Sequence, residues 1–265
     1  MERRSTRIGL WIWAGLVVLF LHIPIAIIIL YAFNASVVQG WPITDWTTSW
    51  FSPAIHDGEM QQALILSLKA AGLATALALV LGTAAAFALY RASFFGRNAI
   101  SFLFVLPIAL PGIITGMALN SYFTYWHQSF GIWTIVVGHA TFCLVIVFNN
   151  VVARLRRIPG SLAEASMDLG ADGFQTFLHV TLPQVSTALV SGALLAFAIS
   201  FDEVIVTTFT AGVQNTLPIW IFGNIRLGQK LPEVNVVVFL ILLATIIPVT
   251  IAQRLTRESG ILRTE

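Results

Sequence analysis

Two adjacent carboxylates, Asp202 and Glu203, stand inside an apolar run that reads SFDEVIVTTFTAG. Ionisable side chains within such runs are rare and mark substrate or ion pathways, proton relays or buried ion pairs. A carboxylate facing a cavity would draw in a cation. A lysine, Lys69, lies inside another apolar run, LILSLKAAGLATALALVLG, and is a natural counter-ion. No other set of side chains suggests chemistry. The histidines are scattered, with no HExxH and no Cys/His cluster, so no metal site is expected. The single Cys143 excludes an intramolecular disulfide. No nucleophile sits with a base at a recognisable spacing, so no catalytic residue is assigned and an intramembrane enzyme is disfavoured.

The elements that must position these charges are membrane helices. The 265 residues are 57% hydrophobic and 10% charged, against about 25% charged in soluble domains. Six apolar spans are read at about 8–33, 63–90, 99–122, 132–152, 186–209 and 234–251, in one membrane domain covering 1–265. The fold expected is therefore an all-α integral membrane protein. Pro24 suggests a kink in the first span, and Pro107 and Pro111 a broken or bent third span. Arg3, Arg4 and Arg7, Arg91 and Arg97, Arg154, Arg156 and Arg157, and Arg254, Arg257 and Arg263 all fall on one side of this layout. Only Arg226 and Lys230 fall in the opposite loops, so the positive-inside rule puts both termini in the cytoplasm.

With that orientation the fifth span runs outward, and the two acids lie in its outer half, roughly seven residues or about 10 Å from the exit. Lys69 falls at a similar depth in the second span. On a continuous helix Glu203 shares a polar stripe with Ser200, Thr207 and Thr210, while Asp202 shares an apolar one with Leu195, Ile199, Val206 and Phe209. The expectation is that Lys69 pairs with Asp202, and that Glu203, with Ser200 and Thr207, lines a path for a cationic solute; Asp202 is the other candidate for that path. His139 reads as a hydrogen-bonded structural residue.

One segment between the spans is built to fold and not merely to link. It runs from Ser161 to Pro183, SLAEASMDLGADGFQTFLHVTLP. Ser161 with Glu164 fits a capping box, and Asp172 with Gln175 is a looser version. Gly170 suits a helix C-terminus, and Pro183 closes the stretch. Two short helices with a bend are expected, with Leu162, Ala165, Leu169, Phe174, Phe177 and Leu178 on their apolar faces.

Glu164-Ala165-Ser166, Gly170 and Val180-x-Leu182-Pro183 resemble the EAA motif, E-A-A-x3-G-x9-I-x-L-P, of bacterial ABC importer transmembrane subunits. The resemblance implies the type I importer permease fold. It also implies that Glu164, Ala165, Ser166, Asp168, Gly170, Leu182 and Pro183 belong to a coupling segment, 154–185, that docks on an ATPase. No G-x4-G-K occurs, so this chain holds no P-loop. No cofactor is expected on it, and ATP and Mg belong to the partner ATPase. The side that carries the motif is the side the basic residues mark as cytoplasmic.

More of the chain resembles the polyamine (spermidine/putrescine) branch of these permeases. The pieces are Tyr31-Ala32-Phe33-Asn34, Leu106-Pro107 with Pro111-Gly112-Ile113-Ile114-Thr115-Gly116, Ser200-Phe201-Asp202-Glu203, Thr216-Leu217-Pro218 and Pro232-Glu233-Val234-Asn235. Many members have Asp-Asp where this chain has Asp202-Glu203. The resemblance implies a non-enzymatic permease importing putrescine or spermidine across the bacterial inner membrane. Its partners would be a second homologous permease, an ATP-binding dimer, an extracytoplasmic solute-binding protein and the lipid bilayer; no nucleic acid is expected. A permease for another small solute, or an ion-gradient-driven secondary transporter using Asp202 or Glu203, are the alternatives. The latter predicts paired broken helices and leaves the EAA-like stretch unexplained.

Overall fold

The computed structural model describes residues 4–91 and 95–261. Arg3 and Arg263, two of the arginines used for orientation, lie outside the described residues. The described residues form twelve α-helices and one π-helical turn. These are α1 (Arg4–Ala32), α2 (Phe51–His56), α3 (Gly58–Arg91), α4 (Arg97–Ala109), α5 (Gly112–Tyr125), α6 (Ile132–Leu155), α7 (Ser161–Asp168), α8 (Gly173–Thr176), the π-turn Phe177–Thr181, α9 (Leu182–Phe201), α10 (Ile205–Thr210), α11 (Leu217–Leu227) and α12 (Leu231–Ile261). Among them no β-sheet forms, only an isolated bridge between Asn34 and Trp46. Among the described residues four continuous helical stretches are long and apolar enough to cross a membrane: Thr6–Ala32, Gly58–Tyr90, Ile132–Leu155 and Gly173–Phe201. The pair α4–α5, bent by 103° at Leu110–Pro111, adds a fifth if it is one span. Within α12 the stretch Leu231–Ile247 is an apolar helix.

The helices gather into two compact units, one from the residues up to 61 and from 221 onward, the other from 62–220. In the first, α1 and α2 pack on α12. Phe33, Phe51 and Phe239 meet there, with ring centroids 5.2, 5.5 and 6.1 Å apart. The loop after α1 is pinned by Trp50, whose indole Nε1 donates to the Asn34 carbonyl at 3.0 Å. Lys230 bonds Asp57 at 2.7 Å and Glu59 at 3.2 Å, tying the residue before α12 to the start of α3.

In the second unit α6 is the central helix. It packs on α9 along its length and also on α4, α5 and α10. Helix α3 presents a file of small residues, Ala70, Ala74, Ala78, Gly82 and Ala86, at every fourth position, and the four alanines are buried. Small residues at this spacing let membrane helices approach closely, which is how they gain dispersion energy where lipid offers no hydrophobic drive. Gly82 shows the closeness: a Cβ there would stand 3.0 Å from the Leu144 carbonyl oxygen of α6.

Candidate functional site

The fifth span is not one helix. Expected as continuous over 186–209, it breaks at Asp202–Val204 into α9 and the short α10. The stripe that grouped Asp202 with Val206 and Phe209 therefore does not exist in the folded chain. Broken backbone at membrane depth is tolerated only where its polar groups find partners within the protein. Here they do. The Glu203 carboxylate Oε1 accepts from the Val206 N–H at 2.9 Å, at the N-terminus of α10. At the other end the Asn120 amide donates to the Phe209 carbonyl at 2.7 Å, and the Thr134 hydroxyl bonds the Thr210 carbonyl at 2.7 Å. Orphan donors and acceptors of a two-turn helix are thus held by side chains from three other places in the chain.

Behind the break lies a buried polar cluster. His139 of α6, 1% exposed, bonds Ser200 Oγ of α9 at 2.8 Å through Nδ1 and Thr207 Oγ1 of α10 at 2.7 Å through Nε2. Thr207 Oγ1 spends its one proton on the Glu203 carbonyl, 2.6 Å away. It must then accept from His139, so Nε2 carries the proton, and in the neutral ring Nδ1 accepts from Ser200. One imidazole thus bridges both halves of the broken span, in the structural role expected of it.

The predicted site residues separate accordingly. Ser200 and Thr207 are buried and engaged with His139. Glu203 is half-buried with one oxygen committed to capping, and Asp202 is exposed at the break. Lys69 is exposed and forms no ion pair with either acid among the described residues, whose ion pairs are those of Lys230. The reason lies in α3: Ala63, Ser67, Ala70 and Ala74 form its buried face, which leaves Lys69 outside. Sequence reading missed Asn120 and Thr134 altogether, because the carbonyls they cap, of Phe209 and Thr210, lie 89 and 76 residues away along the chain.

The broken span meets a second one. The half-helices α5 and α10 pack together so closely that a Cβ on Gly116 would lie 2.5 Å from the Phe209 ring.

The Ser161–Pro183 segment folds as a bent pair of short helices. Helix α7 starts at Ser161, but its N-cap is Gly160, and no side chain caps it. The turn begins at Pro159–Gly160, with the Ala163 N–H on the Gly160 carbonyl at 3.0 Å. Ser161 is therefore already helical and cannot box with Glu164. The looser box is the one that forms: Asp172 Oδ1 accepts the Gln175 N–H at 2.8 Å, and Gln175 Oε1 accepts the Asp172 N–H at 3.0 Å. Gly170 adopts φ 92°, the left-handed conformation expected of it. Pro183 does not end the segment. It sits in the first turn of α9, after a π-turn in which the Leu182 N–H reaches back to the Phe177 carbonyl. A first-turn proline suits a helix start, so Gly173–Phe201 runs as one rod from the bend to the break at Asp202.

The bend is tied at three points. Ser166 Oγ bonds Thr176 Oγ1 at 3.1 Å, joining α7 to α8. Phe177 packs edge-on against Phe87 of α3 at 5.3 Å. Arg154 Nε donates to the Gln184 carbonyl at 2.7 Å. Outside these ties the segment leaves Leu162, Met167, Leu169 and Phe174 uncovered, Leu169 and Phe174 to 90% and 72%. Glu164, Ala165 and Asp168 share that exposed side.

Residues 78–257 match the model of a family described as the binding-protein-dependent transport system inner membrane component. The chain is 37% identical over 232 residues to the putrescine transport system permease protein PotI of Escherichia coli K12, covering 84% of this chain and 82% of that protein. It is 32% identical over 243 residues to the spermidine/putrescine transport system permease protein PotC of Haemophilus influenzae, covering 91% and 93%. In fold it is similar to a subunit of a bacterial ABC transporter involved in the import of the acidic polysaccharide alginate, with TM-score 0.71, 18% identity and coverage of 96% and 98%. A chain of the MetNI methionine ABC transporter in an inward-facing conformation gives TM-score 0.63 at 19% identity, covering 75% and 95%.

Proposed function

This chain belongs to the family of binding-protein-dependent transport system inner membrane components, and on that premise we propose that it forms half of the translocation pathway of an ATP-driven polyamine importer. It is a membrane permease and not an enzyme. The observation that carries the solute class is its likeness, over most of its length, to two permeases named for putrescine and spermidine. The exposed acid at a break in a membrane helix supports it, because a free carboxylate there suits an organic cation.

Six spans cross the inner membrane in this reading: α1, α3, the bent α4–α5, α6, α9 with α10, and α12. All belong to one permease subunit, with both termini cytoplasmic by the distribution of arginine. The second half of the pathway comes from a homologous permease, and a solute-binding protein delivers the cation. Asp202 is the cation-facing carboxylate. Glu203 lends the oxygen that is not capping α10. Ser200 and Thr207 act from behind, through His139. The coupling segment docks its uncovered apolar side, with Glu164, on a dimeric ATPase that holds ATP and Mg. The rod Gly173–Phe201 then links the ATPase to the break beside Asp202, so nucleotide-driven closure moves the acids as a largely rigid-body swing.

The test is competition for uptake in proteoliposomes holding the whole assembly, offered putrescine, spermidine and 4-aminobutyrate. The dications should be taken up. Uptake of the zwitterion alone would remove the cation site and leave a permease for another solute. The paired breaks of α4–α5 and α9–α10 favour one competing reading, an ion-gradient carrier, which gives the coupling segment no task.

A further inference from the structure

A cleft of about 260 Å³ opens between the ends of α3, α4 and α6. Its polar lining is Tyr90, Arg97, Ser101, Asn149 and Arg156. No carboxylate pairs with either arginine among the described residues. Arg97 is also the first residue of α4, after a Gly96 cap, so the unbonded N–H groups of a 13-residue helix add to the positive potential. Two guanidiniums would repel a polyamine, so the cleft is no part of the path proposed above.

The lining changes character with depth. Eight residues beyond Arg97 on α4 lies Val105, and eight residues before Arg156 on α6 lies Phe148. Both line the same cleft, about 12 Å deeper at helical rise. A charged rim over a floor that is apolar but for Asn149 fits an amphiphile, whereas a free anion would leave the floor unused. We propose that this cleft binds the phosphodiester headgroup of an anionic phospholipid, with one acyl chain lying along Val105 and Phe148. Placing that lipid in the inner leaflet rests on the orientation proposed above, in which the turn before Arg97 is cytoplasmic. Basic clefts between membrane helices on that side meet anionic headgroups.

The test is native mass spectrometry of the delipidated full chain in detergent, titrated with phosphatidylglycerol, phosphatidylcholine or inorganic phosphate. The expected result is a phosphatidylglycerol adduct about tenfold or more tighter than phosphatidylcholine. The preference should vanish in R97Q/R156Q and persist in R157Q, whose side chain does not line the cleft. No lipid preference, a preference unchanged in R97Q/R156Q, or phosphate competing at equal concentration with the lipid would each overturn the proposal. An acidic face of the ATPase is the rival occupant. It would show as R97Q/R156Q losing the ATPase while keeping the lipid preference, which also overturns the proposal. Orientation is read separately from labelling of Phe95→Cys by an impermeant maleimide in intact cells, so an inverted topology and an empty cleft give different results.

Discussion

The Glu203 carboxylate accepts the Val206 N–H at 2.9 Å, while its neighbour Asp202 is exposed and capped to nothing. Two adjacent acids therefore have separable tasks. Glu203→Gln keeps an acceptor for Val206 and removes a charge, so its thermal midpoint should stay near wild type. Glu203→Ala loses the cap as well and should cost about 0.5–2 kcal/mol. Asp202→Asn should leave stability unchanged and lower putrescine uptake about tenfold, read as the concentration giving half-maximal transport. Full uptake in Asp202→Asn would assign the cation to some other group.

His139 bridges Ser200 and Thr207, and through them the two halves of the fifth span. His139→Phe would leave the buried Ser200 hydroxyl without its acceptor, at about 1–3 kcal/mol, while Thr207 would keep its bond to the Glu203 carbonyl. His139→Gln, which can both donate and accept, should recover part of that loss. Thermal unfolding in detergent measures both. Equal midpoints for wild type and His139→Phe would mean that the bridge contributes nothing.

Gly170 holds φ 92° between α7 and α8. Gly170→Ala forces an L-residue into the left-handed region, at about 1–2 kcal/mol. The cost falls on the bend and not on the spans. ATP-driven uptake should drop while far-ultraviolet circular dichroism and membrane insertion hold. Asn, which tolerates this conformation, should be the mildest replacement.

The Lys230–Asp57 pair has a stated pH window. Burial raises the Asp57 pKa, but the Lys230 ammonium and the Met60 and Glu59 N–H groups outweigh it, and the net shift is downward from 3.8. A depressed acid stabilises the fold above its unfolded value and loses that contribution as pH falls through the folded one. Lys230 is shifted the other way, upward from 10.5, chiefly by its bond to Asp57. Its contribution is complete below 10.5 and fades as pH rises through the folded value. The difference in thermal midpoint between wild type and Asp57→Asn should be flat between these limits and shrink below 3.8. A difference that peaks in acid would reverse the assignment.

Much of this was legible in the sequence, and the rest was hidden for physical reasons. The all-helical, apolar character of the chain, the bend at Gly170 and the Asp172–Gln175 box rest on local chemistry, and they form as read. The Ser161–Glu164 box failed by one residue, because Pro159–Gly160 starts the turn early. Pro183 looked like a terminator, yet the π-turn before it makes it a starting residue. The break at Asp202–Val204 carries no proline or glycine. It is spanned by His139, and the far end of α10 is held by Asn120 and Thr134; the distance of all three along the chain keeps them out of any local pattern. Lys69 shared a depth with the acids, but depth does not fix azimuth, and the small-residue face of α3 turned it away.

In the function proposed, ATP hydrolysis on a partner drives a cation past the acids through the Glu164 segment. The most direct measurement is putrescine uptake by proteoliposomes holding the full assembly, with and without ATP, for wild type and Glu164→Arg. Glu164 is exposed on α7, so the substitution should leave the fold intact. ATP-dependent uptake in wild type that disappears in Glu164→Arg is the predicted result. Uptake indifferent to ATP, or unchanged in Glu164→Arg and abolished by a proton uncoupler, would contradict it.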